Sequence, residues 1–266
     1  MTSAEGVDDE PPIEPKIDDA FSRIVEEGEQ RLARDWPEML STGLVAGLEV
    51  GVGILALLIV TERTGSKLLG GLAFSIGFLA LLLGHSELFT EGFLIPVTTT
   101  VARRARWVDL VRFWIATLVT NLLGGWIITW FAVEGFPEIR HTAVRSASEF
   151  IDAGIGVRSL ALAVLAGAVI TLMTRMQHGT ESDPARITAS VGCAFVLAGF
   201  PLFHSILDSL VIFAALHTGH TPFGYLDWLG WLGWAVLWNM IGGIGLVTIL
   251  RLVRSRKRVV QDREDQ

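Results

Sequence analysis

The sequence is poor in cysteine, and its long apolar runs contain no lysine or arginine. One cysteine occurs among the 266 residues, which excludes a disulfide framework and a cysteine-based metal site. Cys193 lies inside an apolar run, so we interpret it as a packing residue. Residues 1–38 have no apolar core, and a cleavable signal peptide is therefore not expected.

Apolar residues are abundant instead. They make up 51% of the sequence, with a mean hydropathy of +0.50, 28 glycines and 9 tryptophans, which indicates a helical protein with several membrane spans. A helix needs about 20 apolar residues to cross the hydrocarbon layer. Six segments approach or exceed this length, two of them interrupted: 39–61, 68–101, 113–133, 159–174, 187–216 and 226–250.

Positive charges cluster after the second and sixth spans. With six spans both clusters lie on one side of the membrane, and the positive-inside rule makes that side cytoplasmic. Both termini are then cytoplasmic, and we expect a multi-pass protein of the cytoplasmic (inner) membrane. A nucleic-acid patch is disfavoured because each run directly follows a membrane span. The clusters are Arg103, Arg104 and Arg106, and Arg251, Arg254, Arg256, Lys257 and Arg258.

Charge and hydropathy divide the chain into six segments. The first is rich in Asp, Glu and Pro and is expected to be disordered. The second is a weakly amphipathic helix, expected to dock on the cytoplasmic face without a chemical role. Two groups of three spans follow, joined by an external polar linker, and a basic cytoplasmic tail comes last. The boundaries are 1–19, 20–38, 39–133, 134–158, 159–250 and 251–266.

One sequence pattern occurs in both groups of spans. Leu-Phe-Thr at 88–90 precedes Asn-x-x-Gly-Gly at 121–125, and Leu-Phe-His at 202–204 precedes the same motif at 239–243. Because each group has an odd number of spans, the second must insert with the opposite orientation. The pattern predicts two inverted repeats related by a pseudo-two-fold axis in the membrane plane.

The middle span of each repeat contains helix-breaking and polar residues. Residues 84–92 hold two glycines and five polar side chains and are followed by Pro96, while residues 199–208 contain a proline, a histidine and an aspartate. Proline removes a helical hydrogen-bond donor. Non-helical backbone at membrane depth must be buried in protein or line a wet cavity. We therefore predict that the second and fifth helices break and that both breaks face inward.

Asn121 and Asn239 lie in otherwise apolar helices, with Gly124 and Gly242 three residues further on. Glycine lets helices approach closely, and an amide side chain can satisfy backbone groups that a helix break leaves unpaired. We interpret these residues as braces for the two loops. A general hydrogen bond between helices is an equally good interpretation.

The broken helices and the Asn-x-x-Gly helices resemble those of the formate/nitrite transporter family. The likeness runs from residue 21 to 250 and includes Glu-Leu-Phe-Thr at 87–90 and His-Ser-Ile at 204–206. It implies an all-α, aquaporin-like bundle of six transmembrane helices, a homopentamer with one pore per protomer, and passage of small monovalent anions such as formate or nitrite. No enzymatic activity, cofactor, bound metal or nucleic-acid partner is expected.

The same resemblance implies the pore residues. A threonine and a histidine face each other across the pore in that family, and they correspond to Thr90 and His204 here. Leu88 and Phe89 correspond to the hydrophobic narrowing beside them. A neutral imidazole can donate a hydrogen bond to an anion or lend it a proton near neutral pH, and a weak acid crosses a dry constriction more easily when neutral. The alternative for Thr90 is a hydroxyl that caps the loop.

Several acids depart from the family pattern. Glu91 and Gly92 replace a small residue and an asparagine, Asp208 replaces an asparagine, and Glu49 is a candidate intramembrane acid in the first span. Ionised acids facing a pore would repel anions, so these groups are protonated, paired or turned away, or the cargo differs. Glu87 matches the family, and we expect it to accept loop N–H groups.

Asp208 follows His204 by one helical turn and could reach its ring if the half-helix begins there. We expect this pair to hold the imidazole in one tautomer and to favour its charged form. His85 is expected to cap the loop or to face a neighbouring protomer.

Three other functions stay open. The intramembrane acids favour a proton-coupled or cation-conducting relative. A metal held by His85, Glu87, His204 and Asp208 would make an intramembrane enzyme, but no H-E-x-x-H spacing is present and three helices would have to converge. A pore-like scaffold that no longer conducts is the third.

Overall fold

The computed structural model describes residues 13–255 and 259–260, with side chains from residue 19 onward. Every regular element in these residues is a helix. A 3₁₀ turn at Phe89–Phe93 precedes the fourth helix, and Ile241–Thr248 is a π-helical stretch inside the tenth. The helices are α1 (Ile13–Ala33), α2 (Trp36–Thr64), α3 (Lys67–Gly84), α4 (Ile95–Val101), α5 (Trp107–Gly135), α6 (Arg140–Asp152), α7 (Val157–His178), α8 (Asp183–Gly199), α9 (Ser205–His217) and α10 (Tyr225–Arg254).

Five helices are long and apolar enough to cross a membrane, namely α2, α3, α5, α7 and α10. The sequence predicted six spans. The difference arises at 187–216, where a break divides the segment between the 17-residue α8 and the 13-residue α9. The segment 68–101 is divided in the same way between α3 and α4.

Helix α1 is longer at its start than the sequence predicted. It begins at Ile13, inside the segment expected to be disordered, and ends at Ala33 rather than at residue 38. Its buried face carries Phe21 and Ile24, and its backbone at Val25 accepts a hydrogen bond from Thr99 of α4 at 3.3 Å. Residues 1–12 and the basic residues 256–258 lie outside the described residues.

The segment 134–158, predicted as a polar linker, contains helix α6. Its small buried residues Thr142, Ala143 and Ala147 let it pack against α9. Helix α9 also packs against α5, so the second half of the broken segment is surrounded by protein. The two helix breaks, at 85–94 and 200–204, both contribute to the largest apolar cluster, through Leu88, Phe93 and Phe203.

Candidate functional site

The first break begins where α3 ends. His85 has a positive φ of 53°, and its N–H donates to the carbonyl of Leu81, which closes the helix in a left-handed cap. Leu88 has an extended backbone, and Pro96 stands in the first turn of α4, where it needs no helical donor. This geometry leaves the backbone groups of residues 87–89 without helical partners.

Asn121 of α5 supplies the missing partners. Its Nδ2 donates to the carbonyl of Glu87 at 2.9 Å and to that of Gly43 at 2.8 Å, and its Oδ1 accepts from the N–H of Phe89 at 2.8 Å. One buried amide therefore satisfies the loop on both sides of Leu88 and ties it to α2.

Asn239 of α10 does the same for the second break. Its Nδ2 donates to the carbonyls of Phe203 and Ala163, both at 2.8 Å, and its Oδ1 accepts from the N–H of Ser205 at 2.8 Å. The two asparagines thus make equivalent sets of bonds.

The paired glycines bring the asparagine-bearing helices into contact with their neighbours. A Cβ at Gly124 would overlap the carbonyl oxygen of Leu44, and one at Gly242 would overlap that of Val164. Only glycine fits at such backbone-to-backbone contacts. The α2–α5 and α7–α10 interfaces are built on the same principle.

These contacts correct the alignment of the two sequence patterns. In each loop the asparagine binds the carbonyl just before one residue and the N–H just after it. This residue, here called the braced position, is Leu88 in the first loop and His204 in the second. The sequence pattern instead aligns Thr90 with His204, so its alignment of the two loops is shifted by two residues. The error arises because both motifs begin with Leu-Phe, although Leu202 and Phe203 precede the braced position and Phe89 follows it.

Thr90 and His204 are nevertheless in contact. The hydroxyl Oγ1 of Thr90 lies 3.1 Å from Nε2 of His204, and their exposed fractions are 0% and 1%. The pair therefore joins the two broken loops in the protein interior.

The other ring nitrogen of His204 caps helix α9. Its Nδ1 accepts from the N–H of Leu207 at 3.1 Å, and the carboxylate of Asp208 accepts from the backbone N–H of His204 at 2.8 Å. An Nδ1 that accepts a hydrogen bond carries no proton, so the neutral ring presents Nε2–H to Thr90. The prediction that Asp208 contacts the imidazole was wrong, because that carboxylate reaches back to the helix start in the manner of a capping box.

Glu87 does not accept loop N–H groups as predicted. Its buried carboxylate forms ion pairs with Arg31 of α1, at 2.8 Å, and with Arg34, which directly follows α1. The exposed fraction of its side chain is 1%. Sequence reasoning assigned α1 no chemical role and missed both arginines. The sequence did contain a signal for these ion pairs. The loop of Glu87 has no cation of its own, and two arginines lie three residues apart just before the first span.

Helix α1 is held by a second set of charges. Glu27 bonds to Arg31 and to Nε2 of His178 at the end of α7, the latter at 2.9 Å. Burial favours the neutral acid, but the His178 hydrogen bond and the Arg31 charge outweigh it and lower the pKa of Glu27 to about 2. Burial opposes the charge of Arg31 too, but the neighbouring carboxylates Glu87 and Glu27 outweigh it and raise the pKa of this guanidinium.

The two remaining acids lie beside the first loop. Glu91 is buried, and its carboxyl is within electrostatic range of Arg31 and Glu87. Glu49 lies against Gly84 and Ser86, and its Oε2 is buried without a hydrogen-bond partner among the described residues.

Two cavities approach the loops from opposite ends of α2. The α6 cavity, of about 580 Å³, extends from Lys67, Glu149 and Arg158 to Phe203 and Asp208. The α1 pocket, of about 440 Å³, includes His85 and Glu87. His85 and Glu87 therefore open to a different cavity from Asp208. In the described part of the chain, no group of three His, Cys, Asp or Glu residues could hold a metal ion.

Comparisons with known proteins agree with this architecture. The sequence model described as formate/nitrite transporter matches residues 18–253. A formate channel of Bacillus thuringiensis, BtFdhC, is 25% identical over 241 residues, which cover 84% of this chain and 89% of the relative. The inner membrane protein YfdC of Escherichia coli strain K12 is 25% identical over 251 residues, covering 90% of this chain and 77% of the relative.

Two solved structures share the fold. An ion channel of the FNT family superposes with a TM-score of 0.72 and 18% identity, covering 87% of this chain and 96% of the other. A pentameric formate channel with formate bound superposes with a TM-score of 0.67 and 19% identity, covering 82% and 96%.

Proposed function

Because the chain belongs to the formate/nitrite transporter family, we propose that it is a membrane channel or transporter for small monovalent anions or their weak acids, with Thr90 and His204 at its constriction. The observation that carries this proposal is the buried contact between these two side chains, which come from separately braced loops. The cargo would pass from the α6 cavity to the α1 pocket, between the apolar side chains of Leu88, Phe89 and Phe203.

The chemistry of the pair fits an anion. The Nε2–H of His204 and the hydroxyl of Thr90 are hydrogen-bond donors in a site without bulk water, where such donors interact strongly with a carboxylate. The neutral ring adds no fixed charge that would trap the anion. Leu88 and Phe89 are buried beside the pair and exclude water.

The matched loop contacts support six membrane crossings in two inverted repeats. In each half, the residue before the braced position donates its backbone N–H to a carbonyl of the first helix of that repeat, and the bracing asparagine binds the next carbonyl along the same helix. Such agreement is expected of repeats in which the broken segments α3–α4 and α8–α9 each count as one crossing. The accepting carbonyls are those of Thr42 and Gly43 in α2 and of Leu162 and Ala163 in α7.

The likeness to a pentameric formate channel supports a homopentamer with one pore per protomer. Both termini would be cytoplasmic, since α1 packs on α4 at the end of the bundle where Arg103 and Arg104 lie. The relative YfdC is an inner membrane protein, and we place this chain there too.

A proton-coupled or cation-conducting relative is the second candidate. Glu91 and Asp208 favour it because both are buried acids beside the loops. Uptake of labelled formate, nitrite and rubidium into proteoliposomes under an imposed pH gradient separates the two candidates. The proposal requires anion uptake above empty vesicles, with a loss in His204→Ala. Rubidium uptake without anion uptake would overturn it.

A further inference from the structure

The α6 cavity ends at a single buried acid. Asp208 has an exposed fraction of 1% and stands at the deep end of the cavity beside Phe203 and Leu207. His204, the next polar residue inward, turns its ring away from the cavity toward Thr90. Anything entering by this route meets the Asp208 carboxyl before it meets the constriction.

No cation neutralises this acid in the described residues. Its one hydrogen bond comes from the backbone N–H of His204, at 2.8 Å, and no lysine, arginine or histidine in residues 19–255 forms an ion pair with it. The ring of His204 is used for capping and for Thr90, so it does not serve as a counter-ion. An ionised carboxylate in such a site is costly unless a proton or a partner arrives.

The charged groups around the cavity lie on the elements at its mouth. Lys67 at the start of α3 is paired with Glu149 of α6. Asp152 at the end of α6 and Arg158 at the start of α7 are exposed. All of these charges are exposed to solvent, whereas Asp208 is buried.

The other elements that pack on α9 bring no charge to the cavity wall. Helices α2, α5 and α10 contribute no charged side chain to it. The 3₁₀ turn at Phe89–Phe93 carries one acid, Glu91, which interacts with Arg31 on the side of the α1 pocket. Asp208 is thus the only titratable group at the deep end of the α6 cavity among the residues described.

We propose that Asp208 is a proton-binding selectivity residue, which must carry a proton before an anion can pass from the α6 cavity to the constriction. This inference rests on the proposed anion-conducting function. When ionised, Asp208 repels an approaching anion. When protonated, it carries no charge and can donate a hydrogen bond to a carboxylate cargo, as an asparagine amide also can.

Asp208→Asn tests this directly. The asparagine Oδ1 can still accept the His204 N–H, so the helix cap is kept while the titratable proton is lost. Formate uptake into proteoliposomes is measured for wild type and variant at external pH 5 to 8. Formate itself titrates equally in both samples. The ratio of the two uptake rates therefore isolates the effect of the Asp208 side chain.

The proposal predicts near-equal rates at pH 5, and a wild-type rate lower than that of the variant by on the order of tenfold at pH 8, as expected for repulsion between like charges in a site of low dielectric. Asp208→Glu keeps a titratable carboxyl, so its uptake rate relative to that of Asp208→Asn should depend on pH as the wild-type rate does. Asp152→Asn, the same change at the mouth of the same cavity, should leave the rate at its wild-type value throughout.

A ratio that does not change with pH, while both proteins move formate, would overturn the role of Asp208 and leave the anion channel standing. If neither protein moves formate above empty vesicles, the proposed function fails and the inference fails with it. Melting temperatures of the purified variants show whether a lost rate reflects lost folding.

Discussion

The hydroxyl of Thr90 and the Nε2 of His204 lie 3.1 Å apart, although the two residues are 114 positions apart in the sequence. Each side chain is fixed by its own loop, and each loop is fixed by one asparagine. The distance between them is therefore set by the packing of α5 and α10 against their neighbours.

Replacing Thr90 by valine should reduce anion transport without unfolding the protein. Valine keeps the shape of threonine but removes the hydroxyl, one of the two donors proposed to bind the anion, and a hydrogen bond to a charged group contributes about 1.5–3 kcal/mol. We expect formate uptake to fall about tenfold, which corresponds to about 1.4 kcal/mol. Thr90→Ser keeps the hydroxyl and should retain most of the rate. Equal rates in both variants would show that the hydroxyl does not act on the cargo.

Removing either bracing amide should destabilise the protein to a similar extent. Asn121→Ala and Asn239→Ala each remove three hydrogen bonds to otherwise unpaired backbone. Buried bonds in membrane proteins average about 0.6 kcal/mol, so each variant should lose roughly 2 kcal/mol. The melting temperature in detergent should fall by several degrees in both.

Thr188→Val is the matched control for the asparagine variants, since it removes a hydrogen bond from an exposed hydroxyl in α8. Its melting temperature should stay close to that of wild type. A large drop for one asparagine only would contradict the equivalence of the two loops.

The sequence predicted the elements that depend on local composition. The breaks before Pro96 and around Pro201 and the apolar helices followed from side-chain type and periodicity. The contacts of Asp208 and Glu87 could not be obtained in this way. Asp208 accepts a backbone N–H whose position depends on where α9 begins. Glu87 pairs with Arg31 of α1, and the residue spacing within the membrane spans does not show where α1 packs.

Helix α1 should loosen at low pH through Glu27. The folded-state pKa of about 2 is below the ordinary value of 4.5, so the stabilisation from this carboxylate is complete above pH 4.5 and is lost as the pH falls toward 2. The protection factors of the α1 amides, which are exchange rates corrected for the intrinsic effect of pH, should fall over that interval. Glu27→Gln should show weaker protection at neutral pH and a smaller further change on acidification. Identical profiles would exclude Glu27 as the titrating group.

The paired glycines should tolerate no side chain. Gly124→Ala and Gly242→Ala each place a methyl group on a neighbouring backbone carbonyl, which cannot move without separating two helices. We expect little folded protein by size-exclusion chromatography. Gly233→Ala adds the same methyl group to α10 in open space and should fold normally, and it would gain slightly in helix propensity. Normal folding of Gly124→Ala would show that the α2–α5 contact is looser than described.

The buried ion pairs of Glu87 should stabilise the protein more than the ion pair that the exposed Glu38 forms with Arg34. Glu87→Gln leaves Arg31 and Arg34 without their buried partner, and breaking a buried pair costs about 3–5 kcal/mol. Glu38→Gln removes a partner of Arg34 whose side chain is 55% exposed, and such pairs contribute about 0–1 kcal/mol. A fall of about 2–4 °C in melting temperature is expected per kcal/mol at this size, so the two variants should be clearly separated. Protease should also cut α1 faster in Glu87→Gln, because that carboxylate ties α1 to the loop that carries Thr90. Equal melting temperatures and cleavage rates would mean that α1 is held by its apolar face alone.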